Sequence, residues 1–229
     1  MSQITERYTT NDYIEKNPTW DVEDSPWKAE HILKLIQKNN LNPKTIAEVG
    51  CGAGEILHQL YMQMEQDVSF TGYEISQHAF NFCQQREKER LHYKMDNVFE
   101  ESSSYFDLIM AIDVVEHVEN CFDFLRNLKK KGEYKILHIP LEMSVKCLLT
   151  RYHLKSREKY GHIHYFSKDT ALAILRDTGY EIIDSFYTSV IIYKEPKSLH
   201  SLLLRFGNLI NKDLSVRILG GHSLMVLAK

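Results

Sequence analysis

The stretch TIAEVGCGAGEILHQL, residues 45–60, constrains the fold of this chain more than any other. An apolar run there ends in three alternating glycines, Gly50, Gly52 and Gly54, and a helical pattern follows at once. An apolar strand that passes into a helix through a bare backbone opens a βαβ unit. The glycines let main-chain atoms come close to a ligand at that crossing. The rhythm continues to residue 140. PWKAEHILKLIQKNN sets Ala29, Ile32, Leu33 and Ile36 on one helical face, and GEILHQLYMQM does the same with Ile56, Leu57, Leu60 and Met64. VSFTGYEI, LHYKM, YFDLIMAIDVV and EYKILHIP read as strands. SQHAFNFCQQREKERL, begun by Ser76, and NCFDFLRNLKKKG, closed by Gly132, read as helices. Such alternation predicts an α/β fold with a mostly parallel sheet and helices on both faces.

After Pro140 the rhythm changes. Residues 141–160 read as an inserted helix with a polar end, and SKDTALAILRDTG as a helix capped by Ser167 and stopped by Gly179. YEIIDSFYTSVIIY is strand-like and GHSLMVLAK makes a last strand. SLHSLLLRFGNLI reads as a core or dimer helix, because it is too short for a membrane anchor. No repeat or linker divides the chain, so residues 1–229 are expected to form one domain. A formal net charge of −3 argues against a broad nucleic-acid face, and no membrane partner is expected. The four cysteines, Cys51, Cys83, Cys121 and Cys147, form no CxxC pair, and the first residues are polar. Both points fit a cytoplasmic protein with reduced thiols.

The loop reads GxGxG and then Glu55, neither GxGxxG nor GxxxxGK[ST]. An acid at the start of the helix opposes a pyrophosphate, which disfavours a nicotinamide dehydrogenase. Twenty residues after Gly54, Glu74 ends the second strand, where a carboxylate can accept hydrogen bonds from both ribose hydroxyls. Asp96 follows the third strand, and FDLIMAIDVVEHV ends in Asp113, Glu116 and His117.

EVGCGAGE, YEIS, MDNVF and FDLIMAIDVVEHV, in this order and spacing, resemble the class I S-adenosylmethionine-dependent methyltransferases. They are similar to the ubiquinone-biosynthesis O-methyltransferase type of small-molecule enzyme, over residues 27–140. The resemblance implies a Rossmann-like seven-stranded sheet, mostly parallel with a final antiparallel strand, and S-adenosyl-L-methionine as cofactor. Carried over by position, it implies Glu48, Gly50, Cys51, Gly52 and Gly54 around the methionine part and Glu74 with Ile75 at the ribose. Asp96 and Asn97 fall beside the adenine, Ile112 and Asp113 at the edge of the site, and Trp27 and Lys28 at the first helix, Lys28 facing the cofactor carboxylate. A sulfonium that also carries an ammonium suits a site lined with carboxylates.

Methyl transfer needs alignment and exclusion of water, and a proton acceptor when the nucleophile is a hydroxyl or an ammonium. His117 is a candidate base, with orientation of the loop as its plainer role. RYHLKSREKYGHIHYFS holds Arg151, Lys155, Arg157 and Lys159 and sets His162 and His164 on one side if extended. These histidines are read as substrate-facing catalytic candidates, against a solvated segment as the bland reading. No metal is expected, since no further ligand is spaced to complete a site. Tyr8, Tyr13, Trp20 and Trp27 make residues 1–27 a candidate lid, and residues 141–166 an insertion near the substrate mouth. The expected function is methyl transfer to a hydroxyl or amine of a small molecule, by a monomer or homodimer. RNA (tRNA) methylation and a catalytically silent cofactor-binding subunit are the alternatives.

Overall fold

The structure is a computed structural model and describes residues 7, 8 and 10–229. Helix α1 (Asn11–Lys16) and a 3-10 turn (Val22–Asp24) precede α2 (Ser25–Lys38). Then come β1 (Thr45–Val49), α3 (Glu55–Gln63), β2 (Ser69–Tyr73), α4 (Gln77–Gln84), β3 (Leu91–Lys94) and β4 (Phe106–Ile112). A 3-10 turn (Val115–His117), α5 (Cys121–Lys129) and β5 (Gly132–Leu141) follow. The last third holds α6 (Val145–Leu149), α7 (Tyr152–Lys159), α8 (Lys168–Asp177), β6 (Ile182–Thr188), α9 (Val190–Lys194), α10 (Leu199–Leu219) and β7 (His222–Ala228).

The seven strands lie in the order β3-β2-β1-β4-β5-β7-β6. Neighbours from β3 to β5 are parallel, and β7 runs antiparallel between β5 and β6. This is the expected Rossmann-like sheet with its final antiparallel strand. Strand side chains alternate between two apolar layers. Ala47, Ile109, Ala111, Leu137 and Ile139 face one core, and Ile46, Leu108, Met110 and Ile136 the other. The chain order reverses between β1 and β4, and the crevice at their carboxyl ends is where open α/β sheets hold ligands. The glycine loop leaves the end of β1 and Asp113 follows the end of β4, so both expected site segments meet there.

Several local expectations are corrected. Gly132 does not close a helix. It opens β5 and lies so close to β4 that a Cβ would come within 2.9 Å of Ile109. The helix after Ser76 ends at Gln84, well short of Leu91. Residues 141–160 form two short helices, not one, because Arg151 turns into the left-handed region at φ 53°. VIIY leaves the strand and becomes α9, because the Ser189 hydroxyl accepts the Ile192 amide and caps a new helix. SLHSLLLRFGNLI belongs to a longer helix broken at Asn211, and its leucine stripe is exposed, not core. Among the described residues, no helix is long and apolar enough to cross a membrane.

Candidate active site

The site starts from the glycine loop. Gly50, Gly52 and Gly54 all have positive φ, at 67°, 55° and 76°. At Gly54 a Cβ would sit 2.6 Å from the ring of Tyr93, whose hydroxyl donates to the Gly54 carbonyl at 2.7 Å. At Gly52 the nearest atom would be Trp20, 3.8 Å away, so this glycine faces open space. The loop amides are used inside the protein. Gly50 and Cys51 donate to the Tyr73 carbonyl, Gly52 to the Glu74 carboxylate at 2.8 Å, and Gly54 to the Cys51 carbonyl. That arrangement, more than the charge of Glu55, leaves few loop amides for a phosphate. Glu55 is tied to Arg86 at 2.5 Å, a neutralisation across 31 residues that the sequence argument did not anticipate. Cys51 packs on Cys83, sulfur to sulfur 3.8 Å, in a space-filling position.

A cavity of about 880 Å³ opens over this loop. All the expected site residues line it except Gly54, which lies beneath the loop, and His164, whose Nε2 bonds the Val118 carbonyl at 2.9 Å instead. His162 and His164 therefore part company: the first enters the cavity and the second ties down the chain. The described lining carries eleven carboxylates against three lysines.

At one end Glu74 is buried. Its Oε1 accepts the amides of Ile75 and Ser76, and its Oε2 that of Gly52, each at 2.8 Å. Burial pushes its carboxyl up against the pull of those three bonds. Glu48 is buried beside it. Burial raises its pKa to about 8, and repulsion from Glu74 and Asp113 adds to that against the attraction of Lys28. Glu48 Oε2 has no hydrogen-bond partner among the described residues. A buried carboxylate oxygen left open in this way fits a ligand ammonium. The exposed Ile75 and Asp96, with half-buried Asn97 and buried Val98, form a mixed apolar and polar rim suited to a flat base.

Asp113 stands at φ 55°, a left-handed turn that ends β4 and aims its carboxylate across the cavity floor. It holds Lys28 at 2.8 Å and His138 Nδ1 at 2.6 Å, and His138 Nε2 meets the Thr188 hydroxyl at 2.8 Å. Burial would raise Asp113, yet His138 and Lys28 hold it well below the usual carboxylate range. Lys28 is thus committed to Asp113 in this structure. Trp27 stacks on Tyr193, their ring centroids 5.7 Å apart.

The other end is built from side chains. Glu116 is fully buried, and neither of its oxygens has a partner among the described residues. His117 Nδ1 lies 2.8 Å from the Tyr8 hydroxyl. Burial lowers its pKa to about 3, helped by the neighbouring His162, so it is neutral at pH 7. The rings of His117 and His162 are 4.8 Å apart, and Glu142, itself held by the Ser156 hydroxyl, lies 3.0 Å from His162 Nδ1, an ion-pair distance at which that nitrogen still has no hydrogen-bond partner among the described residues. Trp20, Tyr13 and Tyr8 stack in series above this end, at 4.6 and 5.1 Å. The Arg7 guanidinium bonds the carbonyls of Arg157, Glu158 and Lys159 at the carboxyl end of α7, where a cation also meets the helix dipole. Of the expected lid, residues 1–6 and 9 lie outside the described residues. The sequence reasoning assigned no role to His138, Thr188 or Glu142. Their signal was a polar residue in or beside a buried strand, as in KILHIPLE, which must find a partner.

A family described as a methyltransferase domain matches residues 25–185. Among curated relatives, the ubiquinone biosynthesis O-methyltransferase of Rickettsia bellii (strain OSU 85-389) is 27% identical over 120 residues, covering 47% of this chain and 46% of the relative. The chain therefore matches about half the length of that relative. Among solved structures, magnesium protoporphyrin IX methyltransferase from Synechocystis PCC 6803 with bound SAM is similar at a TM-score of 0.64 and 13% identity, covering 100% of this chain and 97% of the other. The plantazolicin methyltransferase BpumL in complex with SAH reaches 0.64 at 18% identity, covering 99% and 93%. The motifs, the sheet order and the family match over most of its length make the chain a member of the methyltransferase-domain family.

Proposed function

We propose that the chain methylates a hydroxyl group of a small molecule, with an amine as the second acceptor class. The observation that carries this reading is His162, a cavity-lining residue with Glu142 3.0 Å from its Nδ1, close enough to stabilise charge on the ring though not aligned as a hydrogen bond. A histidine backed by a carboxylate can take a proton from a hydroxyl as that oxygen attacks. His117, neutral and bonded to Tyr8, orients the corner and takes no proton itself. The bound cofactor supplies an activated methyl on sulfur. Glu48 receives the ammonium of its amino-acid end, and Lys28, through Asp113, fixes the charge pattern there. Glu74 receives the ribose hydroxyls, while Asp96 and Asn97 with Ile75 receive the adenine. Residues 10–27 and 141–166, with Arg7 and Tyr8, close over the pair and exclude water, an arrangement supported by the Arg7 and Tyr8 contacts to residues 157–161. An RNA acceptor draws no support from a lining so rich in carboxylates.

Calorimetry should show S-adenosylmethionine binding and none of NAD. His162→Ala and Glu142→Gln should cut turnover on a panel of phenols by about 10²–10⁴-fold, the ordinary worth of a general base, with cofactor affinity kept. Unchanged turnover in both variants would remove the base from this corner.

A second reading is favoured by the unpartnered Glu116. Glu116, His117 and His162 bring ligand atoms within 4.8 Å of one another, a donor set that suits a divalent cation. Such an ion would polarise the acceptor hydroxyl. Chelator separates the two readings: loss of activity that added metal restores selects the ion, and indifference selects the His162–Glu142 pair.

A further inference from the structure

We infer that the face formed by α6, α7 and α10 docks on an anionic lipid surface. This concerns attachment and holds whatever the methyl acceptor is. In α10, Leu199, Leu202, Leu203, Phe206, Leu209 and Ile210 follow helical spacing and make one apolar stripe. The stripe points outward, Leu199 being 74% exposed, Leu209 85% and Ile210 72%. The side turned to the protein is narrower and partly polar, with Ser201, Leu204, Ser215 and Val216 buried. An amphipathic helix with its apolar face toward solvent marks an interaction surface. α6 extends the patch through Leu148 and Leu149, both exposed. The two elements are packed together, since a Cβ on Gly220 at the end of α10 would lie 3.1 Å from the sulfur of Cys147.

Charge selects the occupant. Residues 143–160 and 194–217 hold ten lysines and arginines against three acids, in a chain whose net charge is −3. Arg151, Lys155 and Arg205 are exposed and form no ion pair among the described residues. Leucine and phenylalanine flanked by free cations are the composition of helices that lie in the headgroup plane of anionic bilayers. A second copy is a poor occupant, because a two-fold contact would set the same cations against each other. The described helix does not cross a membrane, so it lies along the surface. Lys146, Thr150, His200 and Leu219 line the cavity from this same side, which opens the site next to the proposed lipid plane.

The test is flotation of the full chain with vesicles of phosphatidylglycerol and phosphatidylcholine, beside vesicles of phosphatidylcholine alone. Binding is expected to the mixed vesicles and to weaken in high salt. Leu209→Ser with Ile210→Ser, and separately Arg151→Glu with Arg205→Glu, should each weaken it on the order of tenfold or more. S-adenosylmethionine affinity, measured by calorimetry, should be unchanged in both variants, which shows that they are folded. Absence of binding to the mixed vesicles by the wild type overturns the inference, as does equal binding to both vesicle types. It is also overturned by a wild-type dimer in sedimentation that the Leu209→Ser and Ile210→Ser pair makes monomeric.

Discussion

The two ends of the cavity are made of different material. At the glycine loop the surface is largely main chain, and its amides and the Glu74 carboxylate satisfy one another before any ligand arrives. At the histidine corner the surface is side chain, drawn from residues 8, 116–117, 142 and 162, and both Glu116 oxygens lack partners. The first end is settled at folding except at one oxygen of Glu48. The second keeps a desolvation cost that only a ligand, a proton or an ion can relieve. A site that always receives the same cofactor can be built from backbone, whereas acceptor chemistry is set by side chains on segments outside the repeating scaffold.

The largest test breaks the link between the ends. Asp113 joins Lys28 on α2 to His138 on β5, and through it Thr188 on β6. Asp113→Ala leaves a buried lysine unpaired and should cost about 3–5 kcal/mol in denaturant unfolding. Thr188→Val, which removes one neutral bond at the far end, should cost only about 1 kcal/mol. Equal losses would show that the network is not centred on Asp113.

A smaller effect separates two glycines of one loop. Gly54→Ala drives a methyl into the Tyr93 ring and should lower stability by about 1–3 kcal/mol through overpacking, on top of the positive-φ cost that both glycines share. Gly52→Ala meets only the conformational cost of positive φ, about 1–2 kcal/mol, but places its methyl in the cavity and should weaken cofactor binding more than Gly54→Ala. Thermal melts beside calorimetry check the pair. The reverse pattern would mean that Gly52 is not the ligand-facing position.

The last test is of pH dependence, where the two ends carry opposite signs. Glu48 has its folded pKa raised from 4.5 to about 8, so the folded protein holds a proton there that the unfolded chain releases. Its contribution to stability is fully present below about 4.5 and is lost as pH rises through about 8. His117 has its folded pKa lowered from 6.5 to about 3. Its contribution is present above about 6.5 and is lost as pH falls through about 3. Glu48→Gln should flatten the alkaline side of the ligand-free stability curve and His117→Gln the acid side. Saturating cofactor should itself flatten the alkaline side, because an ammonium beside Glu48 brings its pKa down.

The glycine-loop end was legible in the sequence as a cluster because its parts are local: a strand, three glycines, and acids at strand ends. The parallel α/β plan followed from the alternation of periods, and the final antiparallel strand from the family resemblance. The histidine corner was legible only as a set of suspects. His117 and His162 could be named, but nothing in the chain told that Glu142 would lie behind one and Tyr8 above the other. Those pairings depend on how α6 and α7 fold back. His138 sits in an apolar run, where a lone polar side chain signals a partner without saying which. The α10 leucines gave a stripe, and a stripe says which residues share a side, not whether that side meets the core. Gly132 was misread because a glycine after a helix and a glycine at a close strand crossing look alike in one dimension.

The inward-facing amides of the glycine loop bear on competition inside a cell. Adenosine triphosphate carries the same adenosine as the cofactor and could occupy the same rim. Its tail is a polyanion, and where it would lie most loop amides are spent, those of Gly50, Cys51, Gly52 and Gly54, which leaves that of Ala53. Glu48 and Asp113 face that position instead. On the proposed placement the two nucleosides are sorted at the tail and not at the base, largely by hydrogen bonds that touch neither of them.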